Sequence, residues 1–280
     1  MNVIDWAKRV FSSSNIEGKL LSPRLIKDYS YRHYDVDLTS PGRDERIKFS
    51  KRKIKFPKIN GFSDPKIRAR AIAFFANHEL EAIEMMCAAL IKFGGQKEQT
   101  DFAKISRGLV SSIQDEQKHL LMYLNRLEEL NSDISSYPLN DFFWKQFCNL
   151  NNFEQFFSLM SLTFEAANLD FCLFYERVFQ KVGDKKSATM MYKIYLDEIK
   201  HVKLGVYWMN KWRNSDSLWE YYLRNLPAQI SPDRSKGIDF SIESRVTAGF
   251  EESFLKSLIE YDDDFKISKR KMNSSELLQK

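Results

Sequence analysis

Glycine and proline are scarce, 10 and 7 in 280 residues, and they fall between apolar stretches rather than inside them. That excludes a fold of many short strands joined by tight turns and favours long helices. Cysteine is scarcer still: Cys87, Cys148 and Cys172 are the only three. None forms a C-x-x-C pair, so a zinc ribbon, a dithiol redox motif and a disulfide scaffold are excluded. Each has apolar neighbours, and all three are expected to be buried thiols in a reducing compartment. Long uncharged apolar runs are missing too. The most apolar stretch, 71–93, contains His78, Glu79, Glu81 and Glu84, so no segment reads as a membrane span. Asp5, Lys8 and Arg9 around Trp6 leave no apolar signal-peptide core at the N-terminus. A cytoplasmic protein without a membrane partner is the expectation.

What is present is enough to build a core. Hydrophobic residues make up 43% and aromatics 14%, which argues against global disorder. Net charge is +5 and unevenly spread. Residues 1–60 hold 14 Lys/Arg against 7 Asp/Glu, densest at Lys51-Arg52-Lys53-Ile54-Lys55. This strip (43–58) reads either as a solvated, partly extended arm packed across an acidic body or as a contact for phosphate or nucleic acid.

Helical periodicity is clear in four segments. The first runs from Pro65 to about Phe93, before Gly94-Gly95, and the second from Thr100, as N-cap, to about Leu130. A third covers about Phe153 to Val182, before Gly183, and a fourth runs from Asp184 to near Asn214. Short turns within each pair predict two antiparallel hairpins; the longer stretch between them, with Tyr137-Pro138 and Phe142-Phe143-Trp144, predicts one long crossover. The fold class expected is all-α, a ferritin-like four-helix bundle. Three regions follow: a basic N-terminal arm at 1–64 packing on the bundle, the bundle at 65–215, and a C-terminal extension at 216–280 with a disordered tail.

Of four histidines in the chain, two occupy Glu-x-x-His: Glu116–His119 and Glu198–His201. Positions i and i+3 share a helix face, so each pair aims a carboxylate and an imidazole at one point. With 19 Glu and 4 His, chance placement gives about 0.3 such motifs. Each occurs on the second helix of a hairpin, and the first helices offer Glu79 and Glu165 at matching depth. Glu from two helices and Glu-x-x-His from two others is the layout of di-iron and di-manganese carboxylate bundles. Glu79, Glu116, His119, Glu165, Glu198 and His201 are therefore the expected metal ligands, with the four glutamates also the catalytic carboxylates. Two divalent cations would neutralise them, and mixed oxygen and imidazole donors suit iron or manganese.

Around this set lie further candidates. His78 points about 100° from Glu79 and is expected to be structural or to sit beside the ligands rather than among them. Glu84 reads equally as a group behind the ligands or an exposed ion pair, and Glu81 as solvent-facing. Asn168, one turn after Glu165, is placed to hydrogen-bond a ligand or line a substrate pocket. Asp115 and Asp197, each preceding a Glu-x-x-His glutamate, are placed to orient a histidine. Tyr123 and Tyr195 read as core tyrosines, and Met85, Met86, Met190 and Met191 as packing.

His78-Glu79-Leu80-Glu81-Ala82, Asp115-Glu116-x-x-His119, 164–170 as Phe-Glu-Ala-Ala-Asn-Leu-Asp, and Glu198-x-x-His201-Val202 resemble the ferritin-like family catalogued as domain of unknown function 455. The resemblance extends to Phe142-Phe143-Trp144, Leu226-Pro227, Ser231-Pro232, Arg245 and Ala248-Gly249-Phe250. It covers about 65–255 and leaves the first 60 residues outside. Asn77 replaces a common histidine and Asp197 a usual glutamate; neither is a ligand. The resemblance implies a fold and a metal site. A more distant likeness is to tRNA-hydroxylating ferritin-like monooxygenases.

The expected function is that of an oxygen-activating oxidoreductase, a monooxygenase hydroxylating or N-oxygenating a small-molecule or nucleotide-like substrate. Its cofactors would be two iron ions, or manganese with iron, with O2 as co-substrate. No nicotinamide or flavin fingerprint is visible, so a separate electron-donating reductase is expected. A homodimer is compatible with the sequence. The alternatives are a ferroxidase or iron-handling protein, and a nucleic-acid-binding or tRNA-modifying protein using the basic arm; a peroxide reductase would need rubredoxin-like cysteine pairs, which are lacking.

Overall fold

The computed structural model describes residues 1–33, 37–52 and 55–262. Lys53 and Ile54 of the basic run, and the tail beyond 262, lie outside them. Secondary structure among the described residues is helical, with two isolated bridges and no strand. The chain divides into two compact units, 1–153 and 154–280.

The first unit begins with α1 (Val3–Ser12). Asn2 caps it by accepting from the Ile4 N–H, which satisfies one of the open donors of the first turn. Val3, Ile4, Trp6, Ala7, Val10 and Phe11 are buried on it, and it packs on α3 (Pro65–Phe93). Between them lies the single turn α2 (Ile16–Lys19). The start of the N-terminal segment, α1, is thus part of a core, while the described residues of 20–60 carry little regular structure and stay largely half-buried or exposed. Asp64 caps α3, with Pro65 at the first helical position, as the sequence predicts.

Twenty of the 29 residues of α3 are buried, the mark of a helix covered on all sides. Gly94 then lets the chain turn: a Cβ there would meet the Tyr31 ring at 2.5 Å and the Phe102 ring at 2.6 Å. α4 (Gln99–Glu129) returns alongside α3 as the predicted hairpin, starting after Glu98, whose side chain makes no cap, rather than at Thr100. It ends in a left-handed Asn131, φ 52°, with Ser132 N–H bonded to Leu127 O at 2.9 Å. α5 (Phe142–Cys148) follows.

The second unit is built on one helical rod, Phe153–Lys181. It comprises α6 (Phe153–Leu159), a π-helical turn (Met160–Glu165) and α7 (Ala166–Lys181). This rod corrects the reading that no segment could span a membrane. It is long and apolar enough, with mean hydropathy 1.2, but 83% of that window is buried inside the protein. Gly183, φ 77°, closes α7; Asp184 N–H reaches back to Phe179 O at 2.9 Å and the Asp184 side chain caps α8 (Lys185–Trp212). α7 and α8 pack along each other as the second hairpin. α9 (Leu218–Asn225, opened by a Ser217/Glu220 capping box), α10 (Ile242–Thr247) and α11 (Glu252–Glu260) complete the unit.

The cysteines depart from expectation. Cys87 and Cys172 are buried, but Cys148, at the last turn of α5, is exposed.

Candidate metal centre

In the first unit, α3 supplies Glu79 and α4 supplies Glu116 and His119. All three are buried, at 6%, 1% and 0% exposure. A carboxylate oxygen of each glutamate and a ring nitrogen of His119 lie within 4.8 Å of one another. The i,i+3 spacing does what the sequence predicts: Glu116 Oε2 sits 3.0 Å from His119 Nδ1. In the second unit the same set recurs. Glu165, at the end of the π turn, and Glu198 and His201 on α8 are 3%, 0% and 2% exposed, with ligand atoms again within 4.8 Å of one another. Glu198 Oε2 lies 3.5 Å from His201 Nδ1. Asn168 donates from Nδ2 to Glu198 Oε1 at 3.2 Å, which fixes that carboxylate's rotation.

Residues expected near the ligands divide into two groups. The His78 ring packs between Phe74 and Phe143, each at 4.5 Å, and burial pulls its pKa down to about 3. Asp115 and Asp197 make i,i+3 ion pairs with Lys118 and Lys200, at 2.7 and 2.5 Å. Tyr123 is buried against Phe75. Tyr195 is only partly buried and shares a hydrogen bond with Ser244 Oγ at 2.8 Å, so it is not a core residue. The four methionines are buried packing.

Glu81 and Glu84 need correction. Glu81 is fully buried, not solvent-facing: it accepts from Asn77 Nδ2 at 2.8 Å and from the Trp144 N–H in the first turn of α5 at 2.9 Å. Burial pushes its carboxyl up to about 8, against the pull of Arg43 and the Trp144 N–H. Glu84, also fully buried, is not an exposed pair. It holds Lys19 Nζ at 2.9 Å and Arg43 Nη2 at 2.6 Å, and Arg43 also donates to Asn77 Oδ1 at 3.0 Å. Desolvation lowers the Lys19 pKa, with Glu84 opposing it. This network ties two basic residues of the N-terminal segment to the helix that carries Glu79.

The second unit holds two features that sequence reasoning missed. Asp170, in the motif around Glu165, forms a fully buried ion pair with Arg245 of α10, at 2.7 and 2.8 Å. It also accepts from the Gly237 and Ser241 N–H groups, both at 2.7 Å. Arg245 further donates to Ala166 O, immediately after Glu165, at 3.0 Å.

The π turn is the other feature, and such turns concentrate at functional sites. Thr163 Oγ1 donates to Ser158 O at 2.7 Å and shares a 2.8 Å hydrogen bond with the buried hydroxyl of Tyr222 on α9. Burial pushes that phenol's pKa up. Across from it, a Cβ on Gly205 would meet Ser161 Cβ at 2.3 Å, so a glycine on α8 is required for the turn to seat. Tyr222→Phe is therefore expected to lower stability by about 1 kcal/mol, read as a lower urea midpoint at unchanged slope. An unchanged midpoint would show that the hydroxyl does not hold the turn.

No curated protein and no solved structure is significantly similar to the chain. A family model does match, and it reaches further than the motif resemblance. The first 60 residues, read as outside the family, lie almost wholly inside it, in keeping with the burial of α1 and of Lys19 and Arg43 on α3. The chain belongs to the family described as protein of unknown function (DUF455), whose model matches residues 5–256.

Proposed function

We propose that the two Glu/Glu-x-x-His sets belong to a ferritin-like four-helix bundle and hold the two metal ions of an oxygen-activating oxidoreductase. Hydroxylation or N-oxygenation of a small-molecule or nucleotide-like substrate is the reaction that suits it. The observation that carries this reading is duplication: two glutamates and one histidine, buried and with ligand atoms within 4.8 Å, recur in each unit. Four buried carboxylates without cations would repel each other and carry a large desolvation penalty. Two divalent ions neutralise them, and the donor set fits iron, or manganese with iron. Bound as ferrous ions, the pair supplies O2 activation.

The chain's own residues supply the rest. Asn168 holds the Glu198 carboxylate, and the π turn sets the rotation at which Glu165 leaves its helix. A cytoplasmic setting agrees with three cysteines that form no disulfide among the described residues. For the nucleic-acid alternative, Arg43 of the basic strip is withdrawn on Glu84, whereas Arg46 and Lys48, paired with Asp133 and Glu45, and Lys51, Arg52 and Lys55 remain exposed.

An oxygenase keeps its ions as a fixed cofactor, whereas a ferroxidase passes iron through. Ferrous protein exposed to O2 is therefore expected to react with saturation at about two irons per chain, the complement of such a ligand set, and to form no mineral core on further addition. Uptake of tens of irons per chain, counted by elemental analysis after gel filtration, would decide for iron storage.

A further inference from the structure

α8 has two contrasting faces. Its buried stripe runs Ile194, Glu198, His201, Gly205, Trp208, at alternating spacings of four and three. Its exposed stripe runs Lys193, Leu196, Lys200, Lys203, Tyr207, Lys211. The helix carries six lysines and only two acidic residues: Glu198 is buried, and Asp197 is paired with Lys200 at 2.5 Å. Among the lysines stand large apolar groups in solvent, Tyr192 at 48%, Leu196 at 44% and Tyr207 at 57% exposure. Aromatic and aliphatic groups framed by charge of one sign are the composition of a docking surface for a partner of opposite sign.

An aromatic pathway leads inward from the same place. The exposed Tyr207 ring meets the buried Trp208 edge-on at 5.3 Å, while Trp212, 5.2 Å from Trp208, lies one turn further from His201. Trp208 is 1% exposed and its indole N–H has no hydrogen-bond partner, while Lys211 Nζ lies 4.8 Å from its ring. Buried indoles normally find a partner. Trp208 is two turns from His201 on the same stripe, about 10 Å along the axis. Tyr207, Lys203 and Lys211 also line a surface depression that reaches Gly249.

We propose that this face of α8 docks an acidic one-electron carrier protein, of the iron–sulfur or flavin class, and that Tyr207 and Trp208 lie on the electron's route to the metal centre. The proposal rests on the di-metal oxygenase reading. In that reaction O2, the substrate C–H, two electrons and two protons give the hydroxylated product and one water. The chain has no dithiol pair or nucleotide fingerprint from which to draw those electrons, so two single-electron deliveries come from the carrier, which is oxidised each time. Electron-transfer encounters are small and transient, in keeping with a single helix face.

The test uses the full-length, metal-loaded protein and a reduced acidic [2Fe–2S] ferredoxin as probe. Binding is measured by calorimetry at low and high salt, and reduction of the oxidised protein by stopped-flow bleaching of the ferredoxin. The triple variant Lys193→Gln/Lys203→Gln/Lys211→Gln is expected to bind about tenfold more weakly at low salt, with the difference vanishing as salt rises. Tyr207→Ala is expected to slow reduction about tenfold at saturating ferredoxin, and both variants keep the wild-type metal content. Equal binding by wild type and triple variant would overturn the proposal, as would tighter wild-type binding to a single-stranded RNA than to ferredoxin. Absence of bound metal in folded wild type would instead sink the metal-centre reading, which elemental analysis of the same samples reports separately.

Discussion

Asp170→Ala is expected to destabilise the protein by about 3–5 kcal/mol, the range for removing one partner of a buried ion pair. The side chain does three jobs that alanine cannot. It neutralises Arg245, which like Asp170 is fully buried, and it accepts the Gly237 and Ser241 N–H groups that hold the segment entering α10. Its loss leaves a guanidinium and two amides in a site closed to water. For a chain of this size each kcal/mol shifts Tm by about 2–4 °C, so a fall of about 10 °C is predicted. Asp170→Asn keeps the shape and part of the hydrogen bonding, and should fall between the two. Scanning calorimetry of the three proteins checks the order. A Tm for Asp170→Ala within 2 °C or so of wild type would mean that the pair adds little net stability.

The second large effect concerns metal. Glu116→Gln should reduce bound iron or manganese from about two ions per chain to less than one, because Glu116 lies in ligand reach of both Glu79 and His119. The accompanying stability change has a sign that depends on the metal. With manganese at about one hundred times its dissociation constant, wild type gains about 2.7 kcal/mol per site by mass action, and the variant gains little. In a chelator the order reverses: wild type keeps all its buried carboxylates without counter-charge, and the variant has one fewer. Thermal melts in manganese and in chelator should therefore cross. Melts in which Glu116→Gln is equally destabilised in both media would assign Glu116 a purely structural part.

The grouping of the candidate glutamates and histidines was legible in the sequence because its signals are local. Glu-x-x-His is a spacing of three on one helix, and Asp64-Pro65 and Gly183-Asp184 mark helix ends by capping chemistry that needs no tertiary contact. What was missed is non-local. Glu81 reads as solvent-facing because it lies on the other side of α3 from Glu79; α5 brings the Trp144 N–H to it from 63 residues away. Glu84 takes its cations from Lys19 and Arg43, both in a segment that composition alone marks as a basic arm. Asp170 stands inside a motif quoted for resemblance, yet its partner is 75 residues on. The π turn leaves no periodic trace, since it rests on Tyr222 of a different helix and on the space above Gly205.

Anaerobic titration of the metal-free wild-type protein with ferrous ion, followed by equilibrium dialysis and elemental analysis, tests the central claim most directly. Binding is expected to saturate at about two irons per chain and to be lost together when any one of Glu79, Glu116, Glu165 or Glu198 is replaced by alanine. A fully folded wild-type chain that retains no more than a trace of iron, and of manganese in a parallel titration, would contradict it.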